Sequence, residues 1–408
     1  GGRLGVAFVR RLVAHRGVEK DEELAAEVRG YAKYAQIPLE YAQLAQMIYE
    51  LQTIMVPVEN VTWPWGQSTQ RSGLEPSFGC TGIVARSADD GTVIHARNLD
   101  FSFARWLQKM SYVGTFFKGG KEIYTAQMIA LYSFPLTAMR RGSNGYTFEI
   151  NTRYPPKSSN IGGLMKHVFE EKRELSGWVR RQVLQSTDSY EGAVRAFSTR
   201  PYASTEYNIL SGNQKGVVLA RDPDSVYHTL TLGPSRNDYI IITNFDYWDH
   251  DFKEWLDPTA LHFGHSRRVG AERLLNKSRN ISFTELYAVM TDEAVMAKDT
   301  IYQAFMNVQR DTMKSFAPRC EACGLCTAGG GCAATGASCC ALRSHRDLGC
   351  AATSGRRCGC LPDGACRAPH PNATSGDEDC CSYESHASPG CPRGRRCGPA
   401  GGPRVAYV

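Results

Sequence analysis

Apolar and polar positions along this chain follow two periods, and the period changes near residue 80. Asp21-Glu22-Glu23-Leu24 through Tyr34 spaces charged and apolar residues as a helix does, with acids in the first turn where the helix dipole favours them. Pro38-Leu39-Glu40 opens a second helix to about Leu51, with Leu44, Met47 and Ile48 on one side. Residues 52–79 carry Pro57, Pro64, Gly66, Gly73 and Pro76 and read as a linker or exposed loop. From Cys80 the texture is that of strands. Thr81–Ala85 is one, Asp89-Asp90-Gly91 a hairpin turn, and Thr92–Arg97 the returning strand. Further β-type runs are 111–117 and 123–131. Residues 162–183 and 189–198 read as helices. Tyr207–Leu210 and Gly216–Ala220 predict a hairpin, and Tyr239–Phe245 an apolar strand capped by Thr243-Asn244. Residues 265–276 and 283–291 read as helices. Strands in bulk with flanking helix pairs predict a layered α+β sandwich.

Composition changes this picture mainly at the C-terminal end. Residues 319–408 hold fourteen of the fifteen cysteines and no Lys, Phe, Ile, Met or Trp. Such a segment cannot build an ordinary core and is expected to be disordered. One alternative is a disulfide-rich module; another is zinc at Cys320, Cys323 and Cys326, for which no second pair or histidine recurs at clean spacing. The absent residue types are those with A/T-rich codons. The leading reading is therefore that the tail beyond about residue 326 is translated out-of-frame or non-coding sequence.

Over the whole chain of 408 residues the formal net charge is only +6, and Lys and Arg are scattered, so no nucleic-acid partner is expected. No apolar run reaches 18 residues, and no transmembrane helix is expected. The chain starts Gly1-Gly2-Arg3 rather than with Met and reads as a fragment, so a missing signal segment carries little weight. Glycan acceptor triplets begin at Asn60, Asn276, Asn280 and Asn372. They matter only in the secretory pathway, and the pair at 276 and 280 is the strongest.

The candidate chemistry centres on Cys80, the only cysteine of the first 319 residues. It follows Gly79 and precedes Arg97-Asn98-Leu99-Asp100 by seventeen residues. A thiol attacks carbonyls as the thiolate and needs a base or a nearby cation. Many cysteine enzymes use a histidine. Another solution cuts the peptide bond before the cysteine and uses the freed α-amine, with an unperturbed pKa of about 7.7–8.0, as the base. Gly79 suits this route because a residue without a side chain lets the thiol reach the preceding carbonyl.

Cys80-Thr81-Gly82-Ile83-Val84-Ala85, His95-Ala96-Arg97-Asn98-Leu99-Asp100, Thr243-Asn244-Phe245-Asp246 and Arg267-Arg268 together resemble the acid ceramidase and N-acylethanolamine-hydrolysing acid amidase family. Its members are N-terminal-nucleophile hydrolases, and the resemblance runs from about residue 20 to about residue 320. It implies a four-layer αββα sandwich. Residues 1–79 would be the helical N-terminal segment and linker, 80–318 the catalytic domain and 319–408 the tail. It also implies cleavage before Cys80, with the two parts remaining associated. The implied substrate is a lipid amide, either a ceramide or an N-acylethanolamine, with transient contact to a lipid surface, no cofactor, no metal, and a lysosomal or secretory location. By the same resemblance Cys80 is the nucleophile and its α-amine the base. Arg97 holds the thiolate, Asp100 orients the α-ammonium and Asn244 donates to the oxyanion. Arg267 positions Cys80, although Arg268 is an alternative.

The departures concern maturation. The stretch between Glu50 and Cys80 is long, and Asn151-Thr152-Arg153 stands where relatives carry a carboxylate in the middle. His95 reads as structural. Phe101, Phe103, Trp106, Phe116 and Phe117 read as core. The competing readings are a bile-salt or penicillin-type amide hydrolase, a cysteine protease using His95 or His250, and a non-catalytic secreted protein.

Overall fold

The helical spacing near the N-terminus yields α1 (Glu22–Ala35) and α2 (Leu39–Ala45). The structure, a computed structural model, describes residues 22–50, 78–101, 104–153, 166–248, 260–278, 280–297, 299–316, 340–342 and 357–359. The buried stripe of α1 is Leu24, Ala25, Val28 and Ala32, spaced as one helix face requires. The second helix is shorter than its apolar pattern predicts. At its end the Gln46 side chain turns inward, donating to the carbonyls of Ala42 and Leu131 and accepting from the Ser133 amide at 2.8 Å. Met47 is buried, but Ile48 is exposed, so the predicted face does not extend through it.

Strands follow in the order β1 (Phe78–Arg86), β2 (Val93–Phe101), β3 (Ser111–Lys118), β4 (Lys121–Ile129), β5 (Tyr132–Arg140), β6 (Tyr146–Thr152), β7 (Glu206–Gly212), β8 (Lys215–Arg221), β9 (Val226–Thr231), β10 (Tyr239–Ile242), β11 (Thr300–Asn307) and β12 (Thr312–Phe316). The helices among them are α3 (Ala104–Met110), α4 (Ser176–Ser186), α5 (Tyr190–Thr199), α6 (Ala260–Lys277) and α7 (Phe283–Met290). Two antiparallel sheets result. One has the order β10-β1-β2-β11-β12, and the other runs β3 to β9 in sequence order. Ser189 and Ser282 cap α5 and α7, each accepting from the amide three residues on.

Four layers stack as α4/α5, seven-stranded sheet, five-stranded sheet and α6/α7, the layered α+β sandwich the sequence predicts. Phe148, Trp178, Val179 and Phe197 pack in the first interface. Val84, Val93, Ile209, Val218 and Ile240 pack between the sheets. Ile83, Ile94, Leu286, Met290 and Phe305 pack in the last. α1 and α2 lean on the seven-stranded side through Leu24, Val28 and Ala42.

Two predicted elements change shape, and two residues read as core lie at the surface. The single helix at 162–183 becomes a π-helical turn over Lys166–Glu170 and then α4, separated at Lys172, whose φ of 52° is incompatible with a continuing helix. The strand predicted to Phe245 ends at Ile242, where Asn244 and Asp246 are drawn into side-chain contacts described below. Phe116 is buried, but Trp106 is 67 % and Phe117 38 % exposed, so these two are not core. In the tail, β13 (Cys340–Leu342) pairs antiparallel with β14 (Arg357–Gly359). The other tail expectations, like those for residues 52–77, Phe103, His250 and the acceptors Asn60 and Asn372, lie outside the described residues. No described helix is long and apolar enough to cross a membrane.

Candidate active site

The pairing of β1 with β2 sets Cys80 opposite Leu99 and Gly79 opposite Asp100. Side chains alternate along a strand, so Cys80 and Arg97 face the space between the sheets, whereas Thr81 and Asp100 face the helix layer of α6 and α7. Cys80 is 3 % exposed, and Arg97 Nη2 lies 3.5 Å from its Sγ. The rest of the Arg97 guanidinium is tied down by the Leu136 carbonyl, by Thr137 Oγ1 at 2.5 Å and by the Ile150 carbonyl at 2.8 Å. This cation therefore has a fixed position beside the sulfur.

On the other side of the strand Arg267, from α6, does the corresponding work on the backbone. Its Nη1 donates to the Cys80 carbonyl at 2.9 Å, to Thr81 Oγ1 at 2.8 Å and to Asp100 Oδ2 at 3.0 Å. Its Nη2 donates to Asn244 Oδ1 at 3.1 Å. The guanidinium sits where a side chain at position 79 would project. A Cβ built on Gly79 would be 2.5 Å from Arg267 Nη2. Arg268, the alternative, instead pairs with Glu272 at 3.2 Å and lies over the Tyr247 ring.

Asn244 Oδ1 also accepts the Cys80 amide at 2.9 Å, and Asn244 Nδ2 donates to the Thr152 carbonyl at 2.8 Å. Two residues on, Asp246 receives Arg153 at 2.8 and 2.6 Å and the Tyr207 hydroxyl at 2.5 Å, which anchors the turn that carries Asn244. All five residues singled out from the sequence, Cys80, Arg97, Asp100, Asn244 and Arg267, are thus brought together around the Gly79–Cys80 peptide. Asn98, between them in sequence, is not. It faces the helix layer and donates to the Met290 carbonyl at 2.8 Å.

Burial dominates the titration of the site. It pushes the Cys80 thiol up; Arg97 opposes this, while Asp100 and Glu149 add to it. Asp100 is pushed up to about 6 by burial, against the pull of Arg267 and of Thr300, whose hydroxyl donates to Asp100 Oδ1 at 2.6 Å. Burial also works against the Arg97 charge, but Tyr302, Cys80 and Glu149 around it prevail and hold it protonated.

Sequence reasoning missed Thr137, Glu149, Thr300 and Tyr302. Only Glu149 left a signal, a lone charge within the apolar run Phe148–Ile150. It is buried on β6 opposite Gly82, where a Cβ would come within 2.7 Å of Ile209 Cδ1 and 2.8 Å of Glu149 Oε1. Glu149 Oε2 lies 2.8 Å from His95 Nε2, and His95 Nδ1 lies 2.7 Å from Thr147 Oγ1. His95 pairs opposite Val84, four residues along β1 from Cys80, and both its ring nitrogens are engaged there. No group of three or more His, Cys, Asp or Glu is gathered as a metal site among the described residues.

A scan against models of protein families finds no match. Comparison with individual proteins does find relatives. Acid ceramidase of Pan troglodytes is 27% identical over 312 residues, covering 72% of this chain and 69% of that protein. Acid ceramidase of Homo sapiens is 26% identical over 313 residues, with the same two shares. The N-acylethanolamine-hydrolyzing acid amidase of Caenorhabditis elegans is 31% identical over 235 residues, 56% of this chain and 61% of that protein. The solved structure of the Caenorhabditis elegans ortholog of that amidase aligns with a TM-score of 0.46 at 29% identity, covering 56% of this chain and 92% of that one.

Proposed function

Because this chain belongs to the acid ceramidase and N-acylethanolamine-hydrolysing acid amidase family, we propose that it hydrolyses fatty-acid amides with Cys80, once the bond between Gly79 and Cys80 has been cut. The observation that carries the reading is the Gly79–Cys80 peptide itself. Its N–H is held by Asn244, the next carbonyl by Arg267, and its sulfur lies beside Arg97.

In the cut, Cys80 Sγ adds to the Gly79 carbonyl carbon and the Cys80 nitrogen takes up the thiol proton as the C–N bond breaks. Water then cleaves the resulting thioester, leaving a Gly79 carboxylate and a free α-amine on Cys80. In turnover that amine takes the thiol proton and the thiolate attacks the substrate amide carbonyl. Asn244 spends one N–H on Thr152; the second is the donor for the oxyanion, a role worth about 2.7–4 kcal/mol in comparable sites. The ammonium protonates the leaving amine, a thioester remains, and water releases the fatty acid. Asp100, fixed by Arg267 and Thr300 opposite position 79, orients the ammonium.

The N-terminal part stays attached after the cut through contacts that do not involve the linker. Arg181 grips Glu27 at 2.6 and 2.7 Å, and Glu50 Oε1 accepts from the Ser176 amide at 2.8 Å. Asn276 and Asn280, both exposed, suit glycosylation along a secretory route to an acidic compartment. The test is mass spectrometry of the secreted full chain after acid incubation, together with fatty-acid release from N-palmitoylethanolamine and from a ceramide. A new N-terminus at Cys80 and release from at least one of the two, both lost in Cys80→Ala, are expected. An intact chain, or turnover that survives Cys80→Ala, would overturn the proposal.

A further inference from the structure

We infer that Glu149, hydrogen-bonded to His95, is a positioning residue that sets how much of the Arg97 charge reaches Cys80, and that it does so by gaining or losing its own proton. The inference rests on the thiol chemistry proposed above. Its basis is the placement of one guanidinium between two anionic partners. The far edge of Arg97 lies 3.5 Å from the Cys80 sulfur, and its Nε lies 3.7 Å from Glu149 Oε1. Arg97 Nε and Glu149 Oε1 are both fully buried, and neither has a hydrogen-bond partner among the described residues. They face each other across that gap. The other carboxylate oxygen of Glu149 is on His95 at 2.8 Å.

His95 Nδ1 meets Thr147 Oγ1, which in turn lies 2.6 Å from Ser211 Oγ. Those hydroxyls do not titrate in the working range. The other charged and titratable groups facing the pair are Cys80 on β1, Arg97 on β2 and Tyr302 on β11, with Tyr49 and Asp100 beyond the thiol. Tyr302 and Tyr49 are both pushed above the usual phenol range by burial and stay neutral. With a proton on Glu149 the carboxyl is neutral, and Arg97 acts undiminished on the thiolate. Without it the carboxylate neutralises part of Arg97 and raises the thiol. Protonation of Glu149 therefore lowers the Cys80 thiol pKa through a group that never touches the substrate, and offsets part of the thiolate lost on acidification. Burial pushes the Glu149 carboxyl up, against the opposing pull of His95 and Arg97.

The test measures alkylation of Cys80 by iodoacetamide in the acid-incubated full chain, read by peptide mass spectrometry from pH 4 to 9. The wild-type and Glu149→Gln curves share the inflections of Asp100 and the Cys80 α-amine, and the wild type carries one further flattened stretch where Glu149 loses its proton. Glu149→Gln is expected to lack that further stretch and to be alkylated about tenfold faster than wild type above it, a fall of about one unit in the thiol pKa. A Glu149→Gln curve that coincides with the wild-type curve would overturn the inference. Should Glu149→Gln not fold, His95→Gln keeps the carboxylate but removes the imidazole. It is expected to displace the Glu149 stretch toward alkaline pH, because the His95 contact holds that carboxyl down against burial, and an undisplaced stretch counts against the inference. Alkylation needs no substrate, so the two readings separate. Fatty-amide turnover with unchanged alkylation curves sinks only this inference, and the expected curves without turnover sink only the proposed function.

Discussion

The two faces of the five-stranded sheet are built on opposite terms. Toward α6 and α7 it presents Ile83, Ala85, Ile94, Ala96 and Phe305, which pack on Leu286, Val289 and Met290. Toward the other sheet, near Cys80, it presents His95 and Arg97 and receives Glu149, all fully buried. The first face gains free energy from every methylene it removes from water. The second gives up the hydration of several charges and recovers it only through fixed partners. The site straddles the sheet, with sulfur and Arg97 on the inner face and Asp100 and Arg267 on the outer. A residue's contribution to activity and its contribution to stability should therefore separate by face.

The sharpest way to break the contrast is Arg97→Met. It leaves Glu149 without its cation and the thiol without its charge. Fatty-acid release should fall at least about 100-fold, and chemical unfolding should show a loss of about 3–5 kcal/mol, typical of one partner removed from a buried pair. Leu286→Ala, on the apolar side, should cost about 2–5 kcal/mol by the same unfolding assay while turnover per folded molecule and its pH profile stay unchanged.

A third measurement needs no mutation. The folded-state pKa of Asp100, about 6, lies above its unfolded value, so the native state binds the proton more tightly. The resulting stability is complete below about pH 4 and is lost as pH rises through 6, by about 3 kcal/mol in all. Asp100→Asn should remove that slope from unfolding curves taken between pH 4 and 7. The smallest effect is expected from Gly79→Ala. Its Cβ would press on the Arg267 guanidinium, which can move only by loosening its bond to Asn244, so stability should drop by about 1–3 kcal/mol while the appearance of the Cys80 N-terminus slows.

The same contrast decides what could be read from the sequence. Strands buried on both faces read as near-continuous apolar runs, and with turn signals between them the hairpins of β1–β2 and β7–β8 were legible. β5 and β6 were not. β5 carries Pro135, which reads against a strand. It is tolerated because residues 133–136 fall where pairing to β4 shifts register and before pairing to β6 begins at Thr137. β6 reads Tyr-Thr-Phe-Glu-Ile-Asn-Thr, and its polar residues are the buried ones that serve the inner seam. α3, β9, β11 and β12 were also missed, being short or broken by polar residues such as Gln303, which is spent on Asn98 and the Met290 carbonyl. The five candidate residues could be singled out because their motifs lie close to Cys80 or carry a specific order. Glu149, Thr137, Thr300 and Tyr302 come from strands with no motif, and only the stacking of the sheets brings them in.

Gly82 and Glu149 occupy one space between them. The carboxylate stands within 3.0 Å of where any other residue at 82 would put its first carbon. Position 82 is not free to vary by itself. In a library of variants, an alanine at 82 should survive only beside shorter residues at 149 and 209, which press on the same point.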